Sequence, residues 1–164
     1  MTSVTTARII LDWTELFKLR AEWKRQGLTV IFTNGVFDIL HAGHLDYLLK
    51  ARNLGDKLVV GVNTDASAKR LKKGKNRPIV EQDMRVYALS CLRPVDVVTL
   101  FDQDTPLELI SNLMPDVLVK GDEYREDEIV GAKEVKSGGG RVFRAPMLEG
   151  VSTTAIIETI KKDC

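Results

Sequence analysis

The chain has 164 residues, of which 24 are basic and 23 acidic, so its formal net charge is +1. This balance argues against a protein that mainly grips a nucleic-acid backbone, because such proteins usually carry a basic surplus. The hydrophobic content of 44% suits one soluble domain over residues 1–164. No apolar run resembles a signal peptide or a membrane span, so we expect a cytoplasmic protein with no membrane partner.

Residues 1–27 predict a helical segment that precedes a core at residues 28–161. Its apolar side chains recur at helical spacing: Trp13, Leu16, Phe17, Leu19 and Trp23. We interpret both tryptophans as packing residues on an amphipathic helix.

Beyond residue 28, apolar β-branched runs alternate with segments of helical spacing. The runs predict strands at residues 29–32, 58–62, 95–101, 117–119 and 141–143. Helices are predicted at residues 43–54, 105–114, 126–135 and from about residue 152 onward. This alternation predicts an α/β fold, a Rossmann-like, doubly wound sheet of about five parallel strands with helices on both faces.

Four polar segments follow these strands, at residues 33–44, 63–77, 120–124 and 149–154. Ligands of open parallel sheets bind beyond the carboxyl ends of the strands, so we expect the four segments to converge on one site. Within the second segment, residues 69–77 carry six Lys and Arg side chains. We favour a functional basic loop beside the site over a merely solvated one.

The sharpest motif runs from Thr33 to His44, between a predicted strand and a predicted helix. Gly35 allows a tight turn and a close approach of the backbone to a ligand. His41 and His44 flank Gly43 where the helix begins, and the amino end of a helix favours an anion. The motif therefore predicts phosphate binding by two imidazoles and a helix terminus.

A metal site is the competing interpretation, since Asp38, His41 and His44 would supply three ligands. A hydrolytic zinc site usually adds a carboxylate base, and no His-Glu-x-x-His pattern is present. Both histidines would otherwise be ordinary surface residues. Their position in a glycine-containing turn between a strand and a helix favours phosphate.

The stretch Thr33–His44 resembles the (T/N)GxFDxxHxGH signature of the cytidylyltransferase-like nucleotidyltransferases. Residues 61–67, 70–72, 115–121 and 150–157 resemble in particular the heptose 1-phosphate adenylyltransferase branch of that family. The resemblance covers about residues 29–161. It implies transfer of AMP from ATP to D-glycero-D-manno-heptose 1-phosphate with release of pyrophosphate, in a stand-alone form with the heptose kinase on another polypeptide.

The resemblance also assigns roles to individual residues. His41, His44 and Lys72 would be catalytic, stabilising charge on the triphosphate. The nucleotide would be bound by Thr33, Asn34, Gly35, Phe37, Arg85, Gly121, Asp122, Tyr124, Ser152 and Thr153. The substrate would be bound by Asp38, Asn63 and Asp65. Mg²⁺ would be held mainly by the triphosphate, with no dedicated protein metal site, and we expect a homodimer.

Three positions depart from the family pattern. The branch usually shows Lys-Gly-Gly-Asp-Tyr, and here residues 120–124 are Lys-Gly-Asp-Glu-Tyr. Related cytidylyltransferases carry an arginine before Glu149-Gly150, and its absence here weighs against CTP. Ile157 stands where the wider family often has arginine.

Three alternatives to the heptose enzyme stay open. The first is a CTP-dependent enzyme acting on glycerol 3-phosphate or a similar alcohol phosphate. The second is a nucleotide-sensing module that binds ATP without turnover, although such a module would be expected to lose His41, His44 or Lys72. The third is a metal-binding regulatory domain.

Overall fold

The computed structural model describes residues 6–71 and 76–162. Its strands are β1 (Arg8–Ile9), β2 (Val30–Gly35), β3 (Lys57–Asn63), β4 (Val97–Phe101), β5 (Val117–Gly121) and β6 (Arg141–Ala145). Its α-helices are α1 (Trp13–Arg25), α2 (Ala42–Arg52), α3 (Asp65–Arg70), α4 (Gln82–Ser90), α5 (Leu107–Leu113), α6 (Ala132–Ser137) and α7 (Thr153–Lys162). A short 3₁₀ turn spans Glu126–Glu128. The α/β alternation predicted from the sequence is confirmed.

All six strands run parallel in one sheet of order β1-β4-β3-β2-β5-β6. The predicted number of about five strands was low by one. The additional strand, β1, pairs only Arg8 with Val97 and Ile9 with Val98. Two residues form no apolar run that a sequence pattern would show, and β1 exists because β4 offers it hydrogen-bond partners: Arg8 donates to the Asp96 carbonyl and Ile10 to that of Val98.

The core lies on both faces of the sheet, because successive side chains of a strand point to opposite faces. In β2, Val30 and Phe32 belong to one cluster, together with Leu16 and Trp23 of α1. Ile31 belongs to the cluster on the other face, which holds Tyr47 and Leu48 of α2 and Leu89 of α4. The tryptophan-bearing helix packs against the sheet, as its pattern predicted.

One predicted helix is divided. Residues 126–135 were expected to form a single helix, but Gly131 adopts a left-handed conformation at φ 85° between the 3₁₀ turn and α6. Any side chain at Gly131 would meet Ile110 at under 3 Å, so the chain turns where it touches α5. In the part of the chain described, no helix is long and apolar enough to cross a membrane.

Candidate active site

Two adjoining cavities open at the carboxyl ends of β2 and β5, where the order of the strands reverses. Such a reversal leaves a crevice in which ligands of α/β sheets bind. The first, which we name the histidine cavity, is lined among others by Phe37, Asp38, His44, Arg77, Glu123 and Thr153. The second, which we name the carboxylate cavity, is lined among others by Asn63, Asp104, Thr105, Glu128 and Ile129.

The two histidines stand together at the start of α2. His41 immediately precedes the helix and His44 lies in its first turn. Their rings stack with centroids 3.9 Å apart, and the Phe37 ring lies 5.3 Å from that of His44. Burial lowers the pKa of His41 from its usual 6.5, which favours the neutral imidazole at pH 7. The buried Nδ1 of His41 has no hydrogen-bond partner among the described residues.

The start of α2 also suits an anion. The side chain of its N-cap residue, His41, makes no capping hydrogen bond to the first backbone N–H groups of this helix. Those donors and the positive end of the helix dipole add to the imidazole donors. At Gly43, a Cβ would lie 3.0 Å from the His41 ring and 3.4 Å from the Val151 carbonyl oxygen. A side chain at Gly43 would therefore require the His41 ring to shift by a few tenths of an ångström.

The β2–α2 loop is fixed by the buried carboxylate of Asp38, which is fully shielded from solvent. It accepts hydrogen bonds from the Ile79 N–H at 3.0 Å and the Val80 N–H at 2.9 Å, and it pairs with Arg77 Nε at 3.1 Å. The Thr153 hydroxyl donates to the Asp38 carbonyl oxygen at 2.7 Å. Asp38 thus joins three separate segments around the histidine cavity.

The two residues on either side of Asp38 adopt uncommon backbone conformations. Phe37 has φ 52° and Ile39 has φ 49°, in the left-handed region that a β-branched residue rarely visits. Such strain persists only where surrounding contacts impose it, and it concentrates at functional sites. Here it turns the loop so that the Phe37 ring packs on His44 and the Asp38 carboxylate points inward.

Arg85 is the largest fully buried side chain, at 1% exposure. Its guanidinium donates to the carbonyl oxygens of Val36, Asn63 and Val80, and to Asp65 Oδ1 at 2.7 Å. The three carbonyls belong to the ends of β2 and β3 and to the segment before α4. Arg85 therefore holds together the loops that surround the site.

The comparisons with known proteins agree with this geometry. A family profile described as cytidylyltransferase-like matches residues 32–159. The chain belongs to the cytidylyltransferase-like family. It is therefore a nucleotidyltransferase, with both cavities inside the matched region.

Its relatives include larger proteins. The nucleotidyltransferase is 51% identical to the bifunctional protein HldE of Magnetococcus marinus over 151 residues, which are 92% of this chain and 31% of that protein. Identity to HldE of Yersinia enterocolitica is 50% over 152 residues, 93% of this chain and 32% of the relative. The chain thus spans about a third of the length of these relatives.

Two solved structures share the fold. The lipopolysaccharide core biosynthesis protein from Thermoplasma volcanium matches with a TM-score of 0.62 and 30% identity, over 74% of this chain and 98% of its own. The pantoate–β-alanine ligase from Francisella tularensis also reaches a TM-score of 0.62, over 94% of this chain and 77% of its own, at 14% identity. The second likeness concerns the fold alone.

The structure brings most of the predicted site residues of this nucleotidyltransferase to the two cavities. Asn34, Gly35, Phe37, Asp38, His44, Asn63, Gly121, Tyr124 and Thr153 line one or both of them. His41 stacks on His44. Ser152 lies at the start of α7, where its hydroxyl accepts a hydrogen bond from the Ala155 N–H. Lys72 lies outside the described residues.

Other residues predicted to bind ligands have polar groups that form hydrogen bonds within the protein. Thr33 is fully buried, and its hydroxyl bonds that of Tyr47, which donates to the Val119 carbonyl. Burial raises the pKa of Tyr47, so this bridge between β2 and β5 stays protonated. Asp122 accepts from the Met147 N–H at 3.3 Å. Asp38 and Asp65 were predicted to bind substrate and Arg85 to bind nucleotide. In the structure all three side chains form hydrogen bonds with other protein groups.

Two cations that line the cavities lie in segments predicted to converge on the site but had no individual role assigned from the sequence. Arg77 lines the histidine cavity, and Lys120, near the end of β5, lines both cavities. The signals were present, since Arg77 closes the basic segment and Lys120 directly follows the apolar run of β5. A sequence pattern places Lys120 at the right edge of the sheet but does not tell which neighbouring strand it faces.

Proposed function

We propose that the chain transfers AMP from ATP to D-glycero-D-manno-heptose 1-phosphate, giving ADP-heptose and pyrophosphate. The observation that carries the proposal is the stacked histidine pair at the start of α2, of which His44 lines one of two cavities that meet at the strand reversal. A nucleotidyl transfer needs a triphosphate site and an acceptor site in contact, which this arrangement supplies. The heptose acceptor is supported by the motif set at residues 61–67, 115–121 and 150–157 and by the identity to HldE proteins.

We assign the triphosphate to the histidine cavity. The imidazoles of His41 and His44, the N–H groups at the start of α2 and the guanidinium of Arg77 are donors for phosphate oxygens there. Arg77 keeps its position through its ion pair with Asp38, so a cation is already ordered before ligand arrives. Lys72 would add a further cation from the basic segment.

The reaction needs no general base. A sugar 1-phosphate is mostly a dianion at neutral pH, because the second pKa of a phosphate monoester is about 6. One of its oxygens attacks the α-phosphorus in line, the bond to the β-phosphate oxygen breaks, and pyrophosphate leaves with that electron pair. The chain contributes positioning and charge neutralisation, for which imidazole donors, Arg77 and a helix terminus are suited.

Mg²⁺ fits this site as an ion that arrives with ATP. Two carboxylates line the histidine cavity among the described residues, and the oxygens of Asp38 already accept three protein donors. Glu123 is then the one protein carboxylate suited to Mg²⁺, so the triphosphate would supply most of its ligands. When bound, the ion would neutralise charge on the phosphate chain.

Pyrophosphate release in the presence of Mg²⁺ tests the proposal. We would assay ATP and CTP, each with D-glycero-D-manno-heptose 1-phosphate and with glycerol 3-phosphate. His44→Ala should lower kcat about 100- to 1,000-fold, the usual effect of removing one transition-state donor. Leu45→Ala, an exposed neighbour on the same helix, is the matched control and should leave the rate unchanged.

The four pairs separate the alternatives. Release only with ATP and the heptose phosphate supports the proposal. Release with CTP and glycerol 3-phosphate would mean that the chain is the alternative, a cytidylyltransferase for an alcohol phosphate. No release from any pair, with ATP still bound, would favour the nucleotide-sensing module.

A further inference from the structure

The boundary between the two cavities is made by five residues that line both of them: Asn34, Gly35, Val36, Lys120 and Tyr124. If one cavity holds the triphosphate and the other the acceptor, the α-phosphate and the attacking phosphate meet at this boundary. Lys120 is the sole cation among these five residues. The geometry points to Lys120 as the catalytic residue that binds the acceptor phosphate and neutralises its approach to the α-phosphate.

The position of Lys120 is fixed by secondary structure. It lies on β5, in register with Arg144 of β6, one residue before the strand ends. Its Nζ is 3.3 Å from the Asn34 carbonyl oxygen, at the end of β2. The ammonium therefore lies across the gap between β2 and β5, which is where the strand order reverses. A cation held by two strands loses little freedom when it binds a ligand, which favours a role in positioning.

The charges that line the carboxylate cavity indicate how an acceptor would be oriented in it. Among the described residues that line it, Lys120 is the one cation, and Asp104 and Glu128 are the anions. A phosphate monoester would place its dianion at Lys120 and away from both carboxylates. Carboxylate oxygens accept hydrogen bonds from hydroxyl groups, so the uncharged polyol part of the acceptor suits the far end of the cavity. This inference rests on the proposed function for the identity of the reaction.

The chemistry of the transfer explains why a cation belongs at this boundary. The acceptor dianion must approach an α-phosphate that is itself negative, and no proton transfer relieves the repulsion. Two like charges at the separation of a forming bond repel strongly at the effective dielectric of a protein surface. The ammonium of Lys120 offsets part of this repulsion as the new oxygen–phosphorus bond forms and the bond to pyrophosphate breaks.

A purely structural role is the competing explanation, since the Lys120–Asn34 hydrogen bond also ties β5 to β2. That role predicts a lower unfolding temperature and weaker binding of nucleotide and acceptor alike. The catalytic role predicts that acceptor binding and turnover suffer while the affinity for a non-hydrolysable ATP analogue and the unfolding temperature change little. These two patterns are measurable separately.

The test compares Lys120→Met and Lys120→Arg with Lys57→Met. Lys57 is a matched control, because it is also a half-buried strand lysine with a protein partner, Asp96, but lies at the opposite edge of the sheet. We expect Lys120→Met to lower kcat/KM for the acceptor about 10- to 100-fold, the value of a hydrogen bond to a charged group. Lys120→Arg should recover part of the loss, and Lys57→Met should behave as wild type.

A second measurement does not depend on turnover. Calorimetry would follow inorganic phosphate binding to protein saturated with α,β-methylene-ATP and Mg²⁺. Phosphate affinity should fall about 10- to 100-fold in Lys120→Met and stay unchanged in Lys57→Met. Unchanged acceptor kcat/KM or phosphate affinity in Lys120→Met would overturn the role of Lys120. If wild type turns over no heptose phosphate but binds phosphate through Lys120, the proposed function fails and this inference survives.

Discussion

Charged side chains stand at both ends of the parallel strands, in different surroundings. We name the end of the sheet where the strands begin the amino edge, and the end where they finish the carboxyl edge. At the amino edge, an aspartate stands directly before each of β3, β4 and β5 and accepts a hydrogen bond from a backbone N–H group in or next to a neighbouring strand start. Asp56 accepts from Thr29, Asp96 from Leu58 and Asp116 from Val30, at 2.7 to 2.8 Å. Asp96 and Asp116 also pair with Lys57 and Arg20, respectively.

At the carboxyl edge, the corresponding backbone groups and side chains surround two cavities. His44, Arg77 and Lys120 line these cavities, and residues in the left-handed conformation, such as Phe37, shape the loop. From this difference we expect the polar groups at the amino edge to serve stability and those that line the cavities at the carboxyl edge to serve ligand binding. Stability and function are therefore separable by substitution, with one exception.

Arg85 is that exception, because it is a structural side chain at the functional edge. Arg85→Met would leave Asp65 and three carbonyl oxygens without their buried donor. Removing one partner of such a network costs about 3–5 kcal/mol. We expect urea unfolding to show a loss of this size, together with loss of activity. Arg85→Lys keeps the charge with fewer donors, so its unfolding free energy should lie between those of wild type and Arg85→Met. An unfolding free energy of Arg85→Met equal to that of wild type would contradict the structural role of Arg85.

Gly43→Ala should separate function from stability at the same edge. Alanine favours a helix over glycine by up to about 1 kcal/mol, so the unfolding free energy should not fall much. The new Cβ would lie 3.0 Å from the His41 ring, which would have to shift by a few tenths of an ångström. Because a misplacement of about 1 Å can cost about 100-fold in rate, we expect this smaller shift to lower kcat by about 10-fold or less. We would measure kcat and the thermal unfolding temperature, with Leu49→Ala on the same helix as control. An unchanged kcat in Gly43→Ala would show that turnover does not depend on the position of the His41 ring.

Asp96→Ala should have the opposite effect. It removes the acceptor for the Leu58 N–H group and the partner of Arg52 and Lys57. An unsatisfied buried donor costs about 1–3 kcal/mol, which chemical unfolding would detect. Because Asp96 is at the amino edge, kcat and both KM values should be unchanged. Asp96→Asn retains an oxygen for Leu58 and should cost less; a loss of activity in folded protein would break the division between the edges.

The smallest effect concerns protonation of His41. Burial lowers its pKa below 6.5, so the unfolded chain holds this proton more tightly, and the stability from His41 is present above pH 6.5 and declines as the pH falls. A bound triphosphate would favour the imidazolium and raise that pKa. We therefore expect binding of α,β-methylene-ATP near pH 6.5 to take up a fraction of one proton, measured by calorimetry in buffers of different ionisation enthalpy. His41→Gln should abolish this proton uptake. Equal proton uptake in wild type and His41→Gln would show that another group binds the proton.

Much of the fold was predictable because its signals are local. Apolar runs marked β2 to β6, and the helical spacing of Trp13, Leu16 and Trp23 marked α1. The two-residue strand β1 was missed because its existence depends on β4, which lies about 90 residues away in sequence. The division of helix 126–135 at Gly131 was missed because the cause is a contact with Ile110.

The aspartates at the amino edge had a sequence signal that was not interpreted. Asp96 and Asp116 stand immediately before apolar residues, and one residue, Lys57, separates Asp56 from the next apolar run. An aspartate in that position accepts from the N–H group of a neighbouring strand, a pairing that only the sheet order reveals. The pattern becomes meaningful once β2 is known to lie between β3 and β5.

For the site, the sequence by itself determined the family, the motif at residues 33–44 for which phosphate binding is predicted, and the sheet edge to which the polar segments belong. These follow from residue types at short spacings, which a linear pattern records. Tertiary structure alone decided that Arg85 and Asp38 bind the protein, that Arg77 faces the histidine cavity, and that Lys120 lies between two cavities. The physical reason is that a side chain's role depends on which donors and acceptors from distant segments reach it first, and that is set by packing across the sheet.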